Sequence, residues 1–77
     1  MPTLLDKDGF KFFFYANEHL PRHVHVIKAE GYAKIELFSL QVTENFMKPA
    51  DLKKALAIAE QYRFEFGRKW DEYFNKR

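Results

Sequence analysis

The chain has 77 residues, 47% apolar and 18% aromatic, with a formal net charge of +2. That length allows one domain, and so short a chain buries only about 60–65% of its unfolded surface, so nine Phe, four Tyr and one Trp must supply much of the core. The absence of cysteine excludes disulfides and thiolate-ligated zinc, the small net charge is too weak to argue nucleic-acid binding by itself, and no apolar run approaches the roughly 18 residues of a membrane span.

The N-terminus lacks a basic flank followed by an apolar stretch, so a cytoplasmic location without membrane attachment is expected. The aromatic content exceeds what so small a core absorbs, which predicts rings facing a partner or a second copy of the chain.

Asp8-Gly9 is a short-loop hairpin signal separating a strand over 3–7 from one over 10–15. In the second strand Phe10, Phe12 and Phe14 share one face, while Lys11, Phe13 and Tyr15 share the other. Residues 16–22 read as a connection, with Asn17 and Pro21 as turn formers. Alternation resumes over 23–28, where Val24 and Val26 oppose His23 and His25. Glu30-Gly31 marks a second tight turn before a strand over 32–38. Residues 39–48 are ambiguous: Leu40 and Val42 alternate, which fits a short extra strand or an extension of the fourth.

Pro49 suits a first helical position and Asp51 the positive end of a helix dipole, whereas Lys48 is a poor cap. Leu52, Ala55, Leu56, Ala59, Tyr62, Phe66, Trp70 and Tyr73 form one apolar stripe, which predicts a helix over 50–75. Glu65 with Lys69, and Glu72 with Lys76, are i,i+4 pairs on its outer face. Such a helix is about 39 Å long against strands of about 20 Å, so its end must overhang the sheet or bend near Gly67. Arg63, near the middle of the stripe, either snorkels or is held by an acid or a carbonyl at the sheet edge. Phe64 points away from the stripe and is a candidate contact residue.

The expected architecture is α+β: a three- or four-stranded antiparallel sheet with one face covered by a long C-terminal helix. The covered face collects Phe10, Phe12, Phe14, Val24, Val26, Ala33, Ile35 and Leu37. The opposite face carries Lys11, Phe13, Tyr15, His23, His25, Tyr32, Lys34 and Glu36 and is expected to stay exposed.

All three histidines, His19, His23 and His25, fall within seven residues. Imidazole titrates, binds metal and transfers protons near neutral pH, so this cluster is the candidate site. Three chemistries fit it. His19, His23 and His25 suit zinc, nickel or copper, with Glu18 as a fourth ligand or an orienting group. Alternatively, His23 and His25, with Arg22 and nearby lysines, suit metal-independent RNA cleavage by general acid–base catalysis. The third reading is an interface, in which Lys11, Phe13, Tyr15, His19, Arg22, His23, His25, Tyr32 and Lys34 contact a protein partner. Partner binding takes the largest share of expectation, and whether the protein is an enzyme stays open.

The opening Met1-Pro2-Thr3, Gly9 followed by Phe12-Phe13-Phe14-Tyr15, and above all Glu18-His19-Leu20-Pro21-Arg22-His23-Val24-His25-Val26 carry a family likeness. On these residues the chain resembles a small bacterial family known as domain of unknown function 4160. The family usually places a second proline directly before the H-V-H-V run, where this chain has Arg22 and so gains a cation beside the histidines. The resemblance implies a short single-domain protein from a two-gene, toxin–antitoxin-like module that binds a protein encoded next door. It makes a ribonuclease toxin the runner-up and transfers no catalytic residue.

Overall fold

A computed structural model describes residues 3–74. Five strands, β1 (Thr3–Lys7), β2 (Phe10–Phe13), β3 (His23–Lys28), β4 (Gly31–Glu36) and β5 (Val42–Phe46), precede two helices, α1 (Pro49–Gln61) and α2 (Arg63–Phe74). The strands form one antiparallel sheet in chain order, each paired with its sequence neighbour. The α+β class therefore holds, with five strands where three or four were expected and two helices where one was expected.

The turns explain the order. Asp8 (φ 55°) and Gly9 (φ 83°) both take left-handed backbone, the requirement of a two-residue hairpin that follows the strand twist. The next turn is Ala29-Glu30 rather than Glu30-Gly31, because Gly31 already pairs with Lys28 as the first residue of β4. Glycine is needed there for closeness: a Cβ on Gly31 would sit 3.2 Å from Met47 Cγ and 3.3 Å from the Lys28 carbonyl oxygen.

The fifth strand follows from the turn after β4. The Glu36 carboxylate accepts the Ser39 N–H (2.9 Å) and the Ser39 hydroxyl, and Leu40 N–H donates to the Glu36 carbonyl (2.8 Å). This reverses the chain and sets Val42 opposite Ile35. β5 is an edge strand with its Thr43, Glu44, Asn45 and Phe46 side chains exposed. Its apolar alternation is accordingly faint in the sequence.

Every residue of the predicted inner face is buried, from Phe10, Phe12, Val24, Val26, Ala33 and Ile35 at 0% exposure to Leu37 at 3%. Ala55, Ile58, Ala59, Phe66 and Trp70 cover it from the helices. Ile58 thus joins the core from outside the predicted stripe, while Tyr73 remains 43% exposed. Phe12 against Phe66 (ring centroids 5.4 Å) and Phe14 against Trp70 (5.5 Å) fix α2 to β2 and the residue after it.

The length mismatch is resolved at Tyr62 and not at Gly67. Tyr62 (φ −105°, ψ 14°) leaves helical geometry and divides the segment into helices of 13 and 12 residues, each about 18–20 Å and so matched to a strand. Tyr62 N–H still donates to the Ile58 carbonyl (3.0 Å) and Phe66 N–H to the Tyr62 carbonyl (2.8 Å), so the joint residue keeps a bond to each helix. Arg63 is held by a carbonyl, donating from Nη1 to Phe38 (3.3 Å). Lys69 pairs with Glu65 at 3.3 Å, whereas the expected partner of Glu72, Lys76, lies outside the described residues together with the last residue of the predicted helix. Glu72 pairs instead with Arg68 (2.7 Å).

The outer face departs most from expectation. Phe13 is 3% exposed and His23 and His25 are each 5% exposed. The helices lie on the opposite face, and the segment between β2 and β3 folds back over these rings.

Candidate functional site

His23 and His25 are two residues apart on β3, so pleating sends both rings to the outer face. Their Nε2 atoms converge on a single carboxylate. Glu18 Oε1 lies 2.9 Å from His23 Nε2, and Glu18 Oε2 lies 2.7 Å from His25 Nε2. Tyr15 N–H donates to the same Oε2 at 2.8 Å, which fixes the start of the connecting segment.

The far sides of both rings are also held. His23 Nδ1 is 2.8 Å from the Pro21 carbonyl oxygen, which can only accept, so Nδ1 carries a hydrogen. His25 Nδ1 is 2.8 Å from the Tyr32 hydroxyl, which itself donates to Glu44 Oε1 at 2.9 Å. Tyr32 has spent its one hydrogen on Glu44, so it accepts from His25 Nδ1–H. Among the described residues no buried side-chain polar atom lacks a partner.

Aromatic rings wall the cluster. Phe13 stacks on His25 (5.4 Å), His25 on Tyr32 (5.9 Å) and Tyr32 on Phe46 (6.5 Å), a ladder crossing four strands. Tyr15 tilts against His25 at 4.7 Å, and Trp70 of α2 meets the His23 ring at 5.1 Å.

This setting shifts the acidities. Burial raises the Glu18 carboxyl, but the bonds from Tyr15 N–H, His25 and His23 together outweigh it, and the net position is below its ordinary value. Burial lowers His25, and the Glu18 bond and charge only partly restore it. Burial, followed by the neighbouring Glu44, pushes the Tyr32 phenol up, so it keeps its proton.

The structure thus gathers Phe13, Tyr15, His23, His25 and Tyr32 but places His19 elsewhere. His19 is exposed, and the convergent donors are Glu18, His23 and His25, whose ligand atoms all lie within 4.8 Å of one another. For the expected metal set, Glu18 stands where His19 was anticipated. The candidate acid–base pair, His23 and His25, has all four ring nitrogens hydrogen-bonded within the chain, and Arg22 is engaged with Asp71 on α2 (2.8 Å). Lys11 and Lys34 are half-buried on the strands beside the cluster.

Two features escaped the sequence. Glu44 is tied to the site only through Tyr32, and nothing in the spacing of the two reveals it. A groove between the β2–β3 segment, the turn after β4 and α2 is lined by Leu20, Pro21, Leu37, Phe38 and Phe64 among others. Leu20, Phe38 and Phe64 are 75%, 86% and 83% exposed, and of these only Phe64 was marked by its position on the helix wheel.

Among the described residues no helix is long and apolar enough to cross a membrane. No curated protein and no solved structure matches the chain. A family model described as Domain of unknown function (DUF4160) matches residues 9–71, a span that runs from Gly9 through β2 to β5 and contains the Glu18–His25 cluster and the groove up to Asp71. With most of its length covered, the chain belongs to the DUF4160 family.

Proposed function

We propose that this protein is a protein-binding component, of the kind found in two-gene toxin–antitoxin-like modules, and that it grips its partner through the Leu20–Phe38–Phe64 groove. The observation that carries this reading is the exposure of three large apolar side chains around one groove, on a domain whose core is already complete without them. Exposed apolar groups gathered at one concavity are the usual mark of a contact surface. The occupant is an amphipathic segment of the partner, its apolar side chains seated between the two phenylalanines. Charges of both signs, Arg63 and Arg68 beside Glu36, Asp71 and Glu72, rim the groove and suit a segment with mixed flanking charge.

This moves the contact surface away from the histidine face, since Phe13, His23 and His25 are covered from within the chain. The test is co-expression with the product of the adjacent gene, followed by an affinity measurement. The Phe38→Ala/Phe64→Ala pair removes only exposed surface, so folding is retained, while affinity falls at least about 30-fold if these are anchors worth 2 kcal/mol or more. Unchanged affinity would remove the groove from the account. Growth arrest on expression of the chain alone, relieved by His23→Ala, would replace partner binding with catalysis.

A further inference from the structure

We propose that Glu18, His23 and His25 bind a divalent first-row transition metal, with zinc as the reference ion, through one carboxylate oxygen and the two Nε2 atoms. Three observations lead there. First, the donor atoms of all three residues lie within 4.8 Å of one another, and the side chains are only 6% (both histidines) and 9% (Glu18) exposed. Second, each histidine holds its other nitrogen as metal-bound histidines do: His23 Nδ1–H is given to the Pro21 carbonyl, and His25 Nδ1–H to Tyr32, which is backed by Glu44. These bonds fix both ring orientations and leave the two Nε2 atoms as the convergent pair.

The third is the donor–acceptor balance. With Nδ1 as donor on both rings, each Nε2 lone pair of a neutral imidazole points at a Glu18 oxygen, at 2.9 and 2.7 Å. Acceptor facing acceptor at that distance is repulsive, so something positive must lie between. One divalent cation satisfies both contacts at once, in place of the protons that would otherwise have to sit there. Zinc–nitrogen bonds of about 2.0–2.1 Å and zinc–oxygen bonds of about 2.0–2.2 Å place tetrahedral ligands about 3.3 Å apart. The Glu18 contacts at 2.9 and 2.7 Å are shorter than that, so its carboxylate withdraws to admit the ion, and Glu18 sits on a loop. Two imidazoles and one carboxylate, with no thiolate, favour zinc, nickel or copper over calcium and magnesium. Three protein donors leave the remaining coordination to solvent.

The test uses the full chain without a histidine tag, stripped with chelator and titrated with zinc chloride by calorimetry. One zinc per chain and a raised Tm are expected. Glu18→Ala and His25→Asn weaken binding at least 100-fold, Tyr32→Phe weakens it about 10- to 100-fold by releasing His25, and His19→Asn leaves it unchanged. Because loss of a ligand also loosens the fold, X-ray absorption at the zinc edge of the wild-type protein provides a second reading, with imidazole scattering at about 2.0–2.1 Å. No saturable binding of zinc, nickel or copper would overturn the proposal. So would binding that His19→Asn abolishes and Tyr32→Phe spares, or an edge spectrum without imidazole. The groove reading is tested separately from this one, since Phe38→Ala/Phe64→Ala touches none of the three ligands and leaves zinc binding by the chain alone intact.

Discussion

Glu18→Ala tests whether one side chain holds the outer layer in place. In the folded chain its carboxylate accepts from Tyr15 N–H at 2.8 Å and contacts His23 and His25 Nε2 at 2.9 and 2.7 Å. Truncation leaves two buried imidazole nitrogens without partners, each costing about 1–3 kcal/mol. Tyr15 is 47% exposed, so water replaces the bond to its N–H at little cost. The β2–β3 segment can shift to admit water to the rings, which places the net loss at about 2–4 kcal/mol. Against a total of about 4–12 kcal/mol for a chain of this length, that is a large fraction. Each kcal/mol moves Tm by about 4–8 °C in a domain of this size, so a fall of at least about 8 °C is expected. Glu18→Gln keeps one accepting oxygen and should fall between wild type and Glu18→Ala. Urea unfolding with chelator present, followed by circular dichroism, measures both without a contribution from metal. A Glu18→Ala midpoint within about 0.5 kcal/mol of wild type would refute the bridge as the element that orders this layer.

Acid should destabilise the metal-free protein in two windows. His25 is depressed in the fold, so below its ordinary value of 6.5 the unfolded chain takes up a proton that the folded chain resists, and stability falls with pH. Glu18 is also depressed, so a second loss begins below 4.5, and it disappears in Glu18→Gln. Urea midpoints that stay flat from pH 7 to 4 would contradict both. Arg22→Ala or Asp71→Asn should cost less than about 1 kcal/mol, and the cost should shrink in 1 M salt, because both partners are nearly half exposed. A larger, salt-insensitive loss would show that the pair is not a surface contact. Ala29→Gly should stabilise by about 0.5–1 kcal/mol, since an exposed alanine at φ 52° carries left-handed strain that glycine lacks. A lower urea midpoint for this variant would refute the strain.

Strand parity was legible because the inner face is a continuous apolar surface with a period of two. From Phe10 to Leu37 the sequence alone separates buried from half-polar positions. β5 was not, because an edge strand with four exposed side chains has no face to advertise. The helix bend was misplaced because propensity marks Gly67, whereas the constraint is tertiary: two aromatic anchors, Phe66 and Trp70, must reach Phe12 and Phe14. At the site, i,i+2 spacing brought His23 and His25 together, but no periodicity describes how residues 16–22 fold back. Glu18 and His19 are adjacent, and only the path of that loop decides which of them meets the rings. The same loop turns a polar-looking face into a covered one, an outcome hidden from reasoning that treats connections as solvent.

The loop also joins the two functional features. Leu20, Pro21 and Arg22 line the groove and lie two to four residues beyond Glu18. Their backbone is held from the histidine side, through the Pro21 carbonyl on His23, and from the sheet, where Leu37 N–H donates to the Arg22 carbonyl at 2.9 Å. The exposed Arg22–Asp71 pair adds at most about 1 kcal/mol, so the buried bridge supplies most of the order in this segment. A groove wall that is already ordered spares a bound segment the cost of ordering it. Anything that tightens the Glu18–His23–His25 bridge therefore favours occupancy of the groove, and occupancy favours the bridge by the same amount. The free energy that Glu18→Ala removes sets the upper bound on that coupling, because a bridge cannot transmit more order than it creates.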